Sequence, residues 1–551
     1  MTSVSCKLTA GLPAKRLGLL PRIGYLALLF SVEVIVLSTW LDTATLARRV
    51  GLVGAVGDWG PPAVRAVIAA AAVFVTFAYL TQRSVLRRVS AGIEGSRVAW
   101  SFLACHFGLL AVFGVLSSVL FATRRTGIED DFLAGIWLIA GILLIISGTL
   151  AFVPPRAWVS LLRATGMLWV YAGAAGILAY ASGTVTWLLW KPAMALTFNL
   201  SKLCLQPFVS GLIADPATKT LGTKAFSVAI HPTCSGLEGA GLMLVFGASW
   251  LLFFRRECRF PQAILLIPVG IVLVWLLNVV RIAALILIGN AGAPNVALGG
   301  FHSSAGWIAF TVVALSFSIG ARKVAWLSTI HGEERGLETS ADNPTEAYLV
   351  PILMILAAGM VSRAVSGGFE WLYPLRFLAG AAALWCYRSR YASLDWRAGW
   401  LAPVIGLVVF VIWLALDLVG GRHTNQGLAS ALAASPAWAR VSWIAIRTLA
   451  AVVTVPLAEE LAFRGFLLRR LVSRSFELVS FGNLKWLPVL ASSLAFGLLH
   501  GDRWLAGTVA GILYAITLMR NRRFGDAVVA HATTNALLAT WVLVRGDWYL
   551  W

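Results

Sequence analysis

Charge is what this sequence has least of. Lys, Arg, Asp and Glu together make up 12% of its 551 residues, about half the share of a soluble globular protein. Acidic residues are the scarcer sign, 24 against 44 basic ones. Cysteine is also sparse, and none of the six falls in a CxxC pair, which speaks against a zinc ribbon or a dithiol redox motif. There is no HExxH and no short-period repeat of the kind that builds a solenoid. The net charge of +20 comes without a basic stripe interleaved with aromatics, so nucleic acid is not the expected partner. No small-residue cleavage site follows the first apolar run. That run therefore reads as an uncleaved helix, with Lys7, Lys15, Arg16 and Arg22 holding its N-terminus inside.

What the sequence has in abundance is apolar runs, 59% of it being hydrophobic. Such runs of about 20 residues are membrane-spanning helices. They fall at 23–41, 63–80, 99–121, 132–153, 167–190, 237–254, 262–288 and 301–321, and again at 348–362, 377–387, 401–419 and 441–457. Shorter pieces follow at 486–499, 505–519 and 527–544. The expected fold is all-α: a polytopic transmembrane bundle in two membrane domains with roughly 14–16 spans. Basic residues cluster in alternate short loops, among them Arg83, Arg87, Arg88 and Arg97, then Arg156 and Arg163, then Arg255, Arg256 and Arg259, then Arg322 and Lys323. These loops are expected inside, and Arg48 and Arg49 are exceptions. Lys191 to Cys234 reads as a long outer loop. The polar stretch 331–346 reads as a cytoplasmic linker between a domain at 1–330 and another at 347–551.

In this threading Cys234, Arg281 and His302 all reach the outer face. A Cys thiol attacks a carbonyl as thiolate, which a neighbouring His or cation favours. Arg stays charged and stabilises a thiolate or an oxyanion. His protonates the leaving amine. Arg281 in an apolar helix costs about 2.5–3.5 kcal/mol at a bilayer centre, so it should face a partner or water. Asn278, three residues earlier on the same face, is placed to orient it. Glu238 and the rival base His231 are further polar neighbours. Cys204 shares the loop with Cys234, but a nucleophile tied in a disulfide is inert.

A second cluster lies near the C-terminus. Glu460 and Arg464 share a helical face at i, i+4, with Glu459 beside them. Phe496-Gly-Leu-Leu-His500 and His531-Ala-Thr-Thr-Asn535 follow. A Glu can activate water while His and Asn hold the oxyanion. A zinc ion on His, His and Glu is an open alternative, weakened by the missing HExxH. Taken alone, the two glutamates read as a helix end at the membrane surface. The threading puts Glu459 and His531 towards the inner side but His500 towards the outer, which a re-entrant or half-membrane helix at 486–499, or a deep cavity, would reconcile.

His-Pro-Thr-Cys234-Ser-Gly, Asn278-Val-Val-Arg281 and Phe-His302-Ser-Ser-Ala-Gly-Trp resemble the exosortase family over about residues 20–325. The resemblance implies an inner-membrane cysteine peptidase of bacteria whose Cys/Arg/His site faces the periplasm. It also implies partners, namely exported proteins with a C-terminal tag of Pro-Glu-Pro type, a transmembrane helix and a basic end. Transfer to an envelope or exopolysaccharide acceptor is implied by analogy with sortases, and no cofactor is implied. The second cluster resembles the CPBP (CAAX-type) intramembrane proteases over residues 345–551. That resemblance makes Glu459 the base and Arg464 structural. The pairing resembles exosortase E/protease fusions, which implies Val-Pro-Glu-Ile-Asp-type tags. A CAAX-type substrate is not implied to be prenylated here. The alternative is a non-enzymatic transporter or export component, whose intramembrane charges would be Arg281 and Glu459.

Overall fold

The computed structural model describes residues 19–40, 51–91, 98–122, 128–231, 234–329, 344–419 and 426–551. Lys7, Lys15, Arg16, Arg48, Arg49, Arg97 and most of the 331–346 linker lie outside these, whereas Arg22 is buried in the helix Leu19–Trp40 and donates to the Phe152 carbonyl at 3.2 Å. The last three linker residues begin the helix Pro344–Ala364. The chain divides into two compact units, Met1–Trp187 and Leu188–Trp551. It is a largely helical, polytopic membrane protein. Among the described residues eight helices are long and apolar enough to cross a bilayer, or nine if the pair Leu52–Gly60 and Pro62–Val75, bent by 41°, is one span. This is fewer than the roughly 14–16 expected. Several apolar runs fold as helices too short to cross, among them Leu237–Phe253, Pro374–Cys386 and Trp486–Leu498.

The first unit is built on the helices Leu19–Trp40, Leu52–Thr81, Trp100–Ala122 and Ile128–Phe152. Their composition is apolar on every side, as a lipid-facing bundle requires. Ionisable groups are nevertheless buried in it, among them Arg22, Glu33, His106 and Asp130. His106 Nε2 lies 2.5 Å from Glu33 Oε1, and its Nδ1 lies 3.0 Å from the Leu144 carbonyl. Asp131 accepts from the backbone N–H of Leu52 at 2.7 Å, so it closes the N-terminus of that helix.

The second unit holds both candidate sites. The outer loop expected from Lys191 onward is not a loop at first: the helix Leu168–Leu205 continues through Pro192. A small antiparallel sheet follows, of strands β1 (Ile213–Asp215), β2 (Thr220–Gly222) and β3 (Ser227–Ala229) in that order. It is a departure from an all-α chain. Three-residue strands carry too little alternation to be read from sequence. The Thr218 hydroxyl and the Ala217 amide bond Asp215 in the β1–β2 turn and hold its carboxyl below its ordinary value.

After the sheet come Leu237–Phe253, Leu266–Asn290 and His302–Lys323, which pack on one another around Met243, Val274 and Phe317. The C-terminal part packs Leu401–Val419, Trp504–Asn521 and Phe524–Arg545 around a larger core that includes Tyr348, Leu461 and Phe496. Through it runs one helical path, Ala437–Arg470, 34 residues long. Two π-helical stretches interrupt it, Ala450–Thr454 and Leu461–Leu467. The glutamate pair therefore lies within a span and not at a helix end on the surface.

Candidate active sites

Cys234 sits in the turn that leads into Leu237–Phe253. Its N–H donates to the His231 carbonyl at 2.8 Å, and its own carbonyl accepts from Asn278 Nδ2 at 2.9 Å. Asn278 thus fixes the cysteine turn, a different task from the expected one of orienting Arg281. The next residue, Ser235, is fully buried and its carbonyl accepts from Thr197 Oγ1 at 3.1 Å. Trp275 Nε1 donates to the same Thr197 oxygen at 3.1 Å. Gly236 is left-handed, with φ at 88°, and a Cβ there would stand 2.7 Å from the Trp275 ring. Only glycine satisfies both conditions. Among the described residues Cys204 and Cys234 form no disulfide. Pro232 and Thr233 lie outside the described residues.

Arg281 comes from Leu266–Asn290, and its Nη1 is 3.5 Å from the His302 carbonyl. A Cβ on Gly306 would be 2.7 Å from that same Nη1, so the glycine leaves the guanidinium its place. His302 opens its helix directly after a π-helical turn, Ala297–Phe301, a distortion common at functional sites. Gly300 in that turn donates to the Ser366 carbonyl at 3.2 Å. Cys234, Glu238, Asn278, Arg281 and His302 line one cavity of about 410 Å³ between the helices. A second cavity of about 410 Å³ opens on the other side of Cys234 and His302, where His231 and β3 line it. The first cavity brings together a thiol, a fixed cation and an imidazole. Thr197, Trp275 and Gly306 gave no signal in the sequence beyond Trp275 and Gly306 standing one helical turn from Asn278 and His302.

In the C-terminal site, the buried carboxylate of Glu460 accepts from Arg464 Nη1 at 3.0 Å, and His531 Nδ1 is 2.9 Å from the same oxygen. Arg464 also donates to the Gly511 carbonyl at 3.0 Å. Glu459 faces a cavity of about 300 Å³ together with His500, His531 and Asn535. Its Oε2 has no hydrogen-bond partner among the described residues, and lies 3.7 Å from His531 Nε2. His500 Nδ1 is 2.9 Å from the Phe496 carbonyl, so Nε2 remains for chemistry. Asn535 Nδ2 donates to the Ala451 carbonyl at 2.7 Å, inside the first π-helical stretch.

The residues that the threading set at different depths line one cavity. Trp486–Leu498 has 13 residues, a rise of roughly 20 Å. That is shorter than the hydrocarbon core of about 30 Å, and His500 just beyond its end lines the same cavity as Glu459 and His531. Tyr514 stacks on the His531 ring at 4.9 Å and 19°, and Trp413 meets His500 edge-on at 5.4 Å. Neither aromatic stood out in the sequence, where 24 Trp and 10 Tyr are spread through the apolar runs and loops. Among the described residues no group of three or more His, Cys, Asp or Glu is placed to hold a metal ion.

Two family models match the chain. Residues 68–318 match the transmembrane exosortase family, and residues 440–537 match the Rce1-like type II CAAX prenyl endopeptidases. The chain joins an exosortase-family domain to a Rce1-like, CAAX-type protease domain. No curated protein and no solved structure matches it. The exosortase match contains Cys234, Arg281 and His302, and the protease match contains Glu459, His500, His531 and Asn535.

Proposed function

We propose that the exosortase-family domain, residues 1–330, is a cysteine peptidase that removes the C-terminal sorting tag of exported proteins, tags of Val-Pro-Glu-Ile-Asp or Pro-Glu-Pro type. Cys234 is the nucleophile. Arg281 stabilises its thiolate and the oxyanion of the tetrahedral intermediate. His302 gives a proton to the leaving amine. The acyl-enzyme then passes to water or to an envelope acceptor. The observation that carries this reading is the cavity shared by Cys234, Arg281 and His302. The chain resides in a bacterial inner membrane with its N-terminus in the cytoplasm, and the Cys/Arg/His site faces the periplasm.

The CAAX-type domain, residues 347–551, is a glutamate-dependent intramembrane endopeptidase. Glu459 takes the proton of an attacking water. His500 and Asn535 hold the oxyanion. His531 positions Glu459, while Glu460 and Arg464 support the site. Its substrate is the membrane stub that the first reaction releases. The test follows a tagged substrate co-expressed with wild type, Cys234→Ala or Glu459→Ala, by gel shift and mass spectrometry. Loss of tag removal in Cys234→Ala supports the first assignment, and the product mass separates hydrolysis from transfer. Accumulation of the stub in Glu459→Ala supports the second. Tag removal that persists in Cys234→Ala and stops in Glu459→Ala would reverse the two roles.

A further inference from the structure

Strand β3 has one side unused. Thr223 N–H donates to Phe226 C=O at 2.8 Å and Ile230 N–H to Lys219 C=O at 3.0 Å. With the register Leu221↔Val228, these mark the pairs that exchange bonds across the ladder. Alternation then turns the N–H and C=O groups of Ser227 and Ala229 away from β2. β3 is last in the sheet order, and among the described residues these outward groups have no backbone partner. An open strand edge is a template for another strand.

The position of that edge selects its occupant. Ser227, Ala229, Cys234 and His302 line the same cavity, with Ile282 and Leu285 on its apolar wall. Cys234 and His302 also line the cavity between the membrane helices. The two residues therefore border both spaces, one edged by open backbone and one walled by apolar helices, two of them long enough to cross the bilayer. A polypeptide occupying both would be extended on one side of Cys234 and apolar on the other.

We propose that the exosortase-family domain captures its substrate by strand addition. An extended segment of the substrate pairs its main chain with Ser227 and Ala229, and the apolar segment next to it lies between the helices. The bond joining them is thereby presented to Cys234. Main-chain pairing supplies binding, and alternate side chains meet the apolar wall, which supplies selectivity. The inference rests on the peptidase reading of Cys234.

Two measurements test it on the full chain in lipid nanodiscs. The first compares Ser227→Pro and Ala229→Pro with wild type. Proline at these positions removes an outward N–H and no ladder bond, which an edge strand tolerates. Each variant is expected to lose about tenfold in kcat/KM for a tagged peptide, the worth of one strong hydrogen bond. Alkylation of Cys234 by iodoacetamide, read by peptide mass, is expected to keep its wild-type rate. The second measurement scans N-methyl groups through the substrate, one residue at a time. Strand addition gives losses that alternate with a period of two beside the scissile bond. A flat or non-alternating scan overturns the proposal, as does wild-type kcat/KM in both proline variants. If a proline variant changes the alkylation rate, its fold is disturbed and the scan decides alone. Cleavage that survives Cys234→Ala rejects the peptidase reading itself, whereas a dead Cys234→Ala with a flat scan rejects strand addition only.

Discussion

His531 stands between two adjacent glutamates and treats them differently. Its Nδ1 is 2.9 Å from Glu460 and its Nε2 is 3.7 Å from Glu459. Glu460 already pairs with Arg464 at 3.0 Å, with both side chains buried. One carboxylate is thus committed to an ion pair and the other lines the cavity.

Replacing Glu460 by alanine and Glu459 by glutamine should separate these roles. Glu460→Ala leaves Arg464 buried without its counter-charge, and a broken buried pair costs about 3–5 kcal/mol. Thermal unfolding of the full chain in detergent reads this as a lowered midpoint. Glu459→Gln should leave the midpoint near wild type and slow proteolysis by the CAAX-type domain about 10²–10⁴-fold, the range for loss of a general base. Equal midpoints for the two variants would reject the division.

Gly306→Ala tests the seat of Arg281. The new Cβ would sit 2.7 Å from Nη1, and the end of a long side chain can move aside without unfolding anything. Stability should hold while tag cleavage falls by about 10²-fold, the effect of a misplacement near 1 Å. An unchanged cleavage rate in a folded Gly306→Ala would show that the position of Arg281 does not matter.

At Gly300 the obstacle is rigid. A Cβ there would meet the Arg363 carbonyl oxygen at 1.6 Å, and backbone cannot yield as a side chain does. Gly300→Ala should shift the start of the His302 helix and lose both stability and tag cleavage. Overpacking of this kind costs about 1–3 kcal/mol. The unfolding midpoint and the cleavage rate should fall together, and a fall in only one would contradict the contact.

The pair Glu33 and His106 predicts a non-additive cycle. Removing either partner strands the other among apolar helices, at about 3–5 kcal/mol. Replacing both, as Glu33→Met with His106→Leu, should cost much less than the sum of the single changes. Additive losses in unfolding midpoint would mean that the 2.5 Å contact carries no coupling.

The sequence was most legible where one physical term dominates. Apolar runs such as Leu401–Val419 and Leu237–Phe253 begin and end within a residue of the helices, because burial in lipid leaves the backbone no other choice. Site residues scarce in an apolar chain, such as Arg281 and His531, stood out for the same reason. Span number was not legible, since hydropathy does not record where a run breaks into a short helix like Pro374–Cys386. The sheet was hidden by its three-residue strands, and the π-helical turns beside His302 and Glu459 leave no periodic trace. Asn278 was assigned to the wrong neighbour because helical spacing reports a shared face and not a partner across a turn.

The hydrogen bond from Gly300 to Ser366 does not pass through residues 330–343. A chain severed between residues 330 and 343 keeps both of its ends, while a chain ended before Pro344 loses the partner of the π-helical turn that leads into His302. The halves are thus complementary parts more than tethered neighbours. Were the gene ever split in two, its pieces would have to be inherited together.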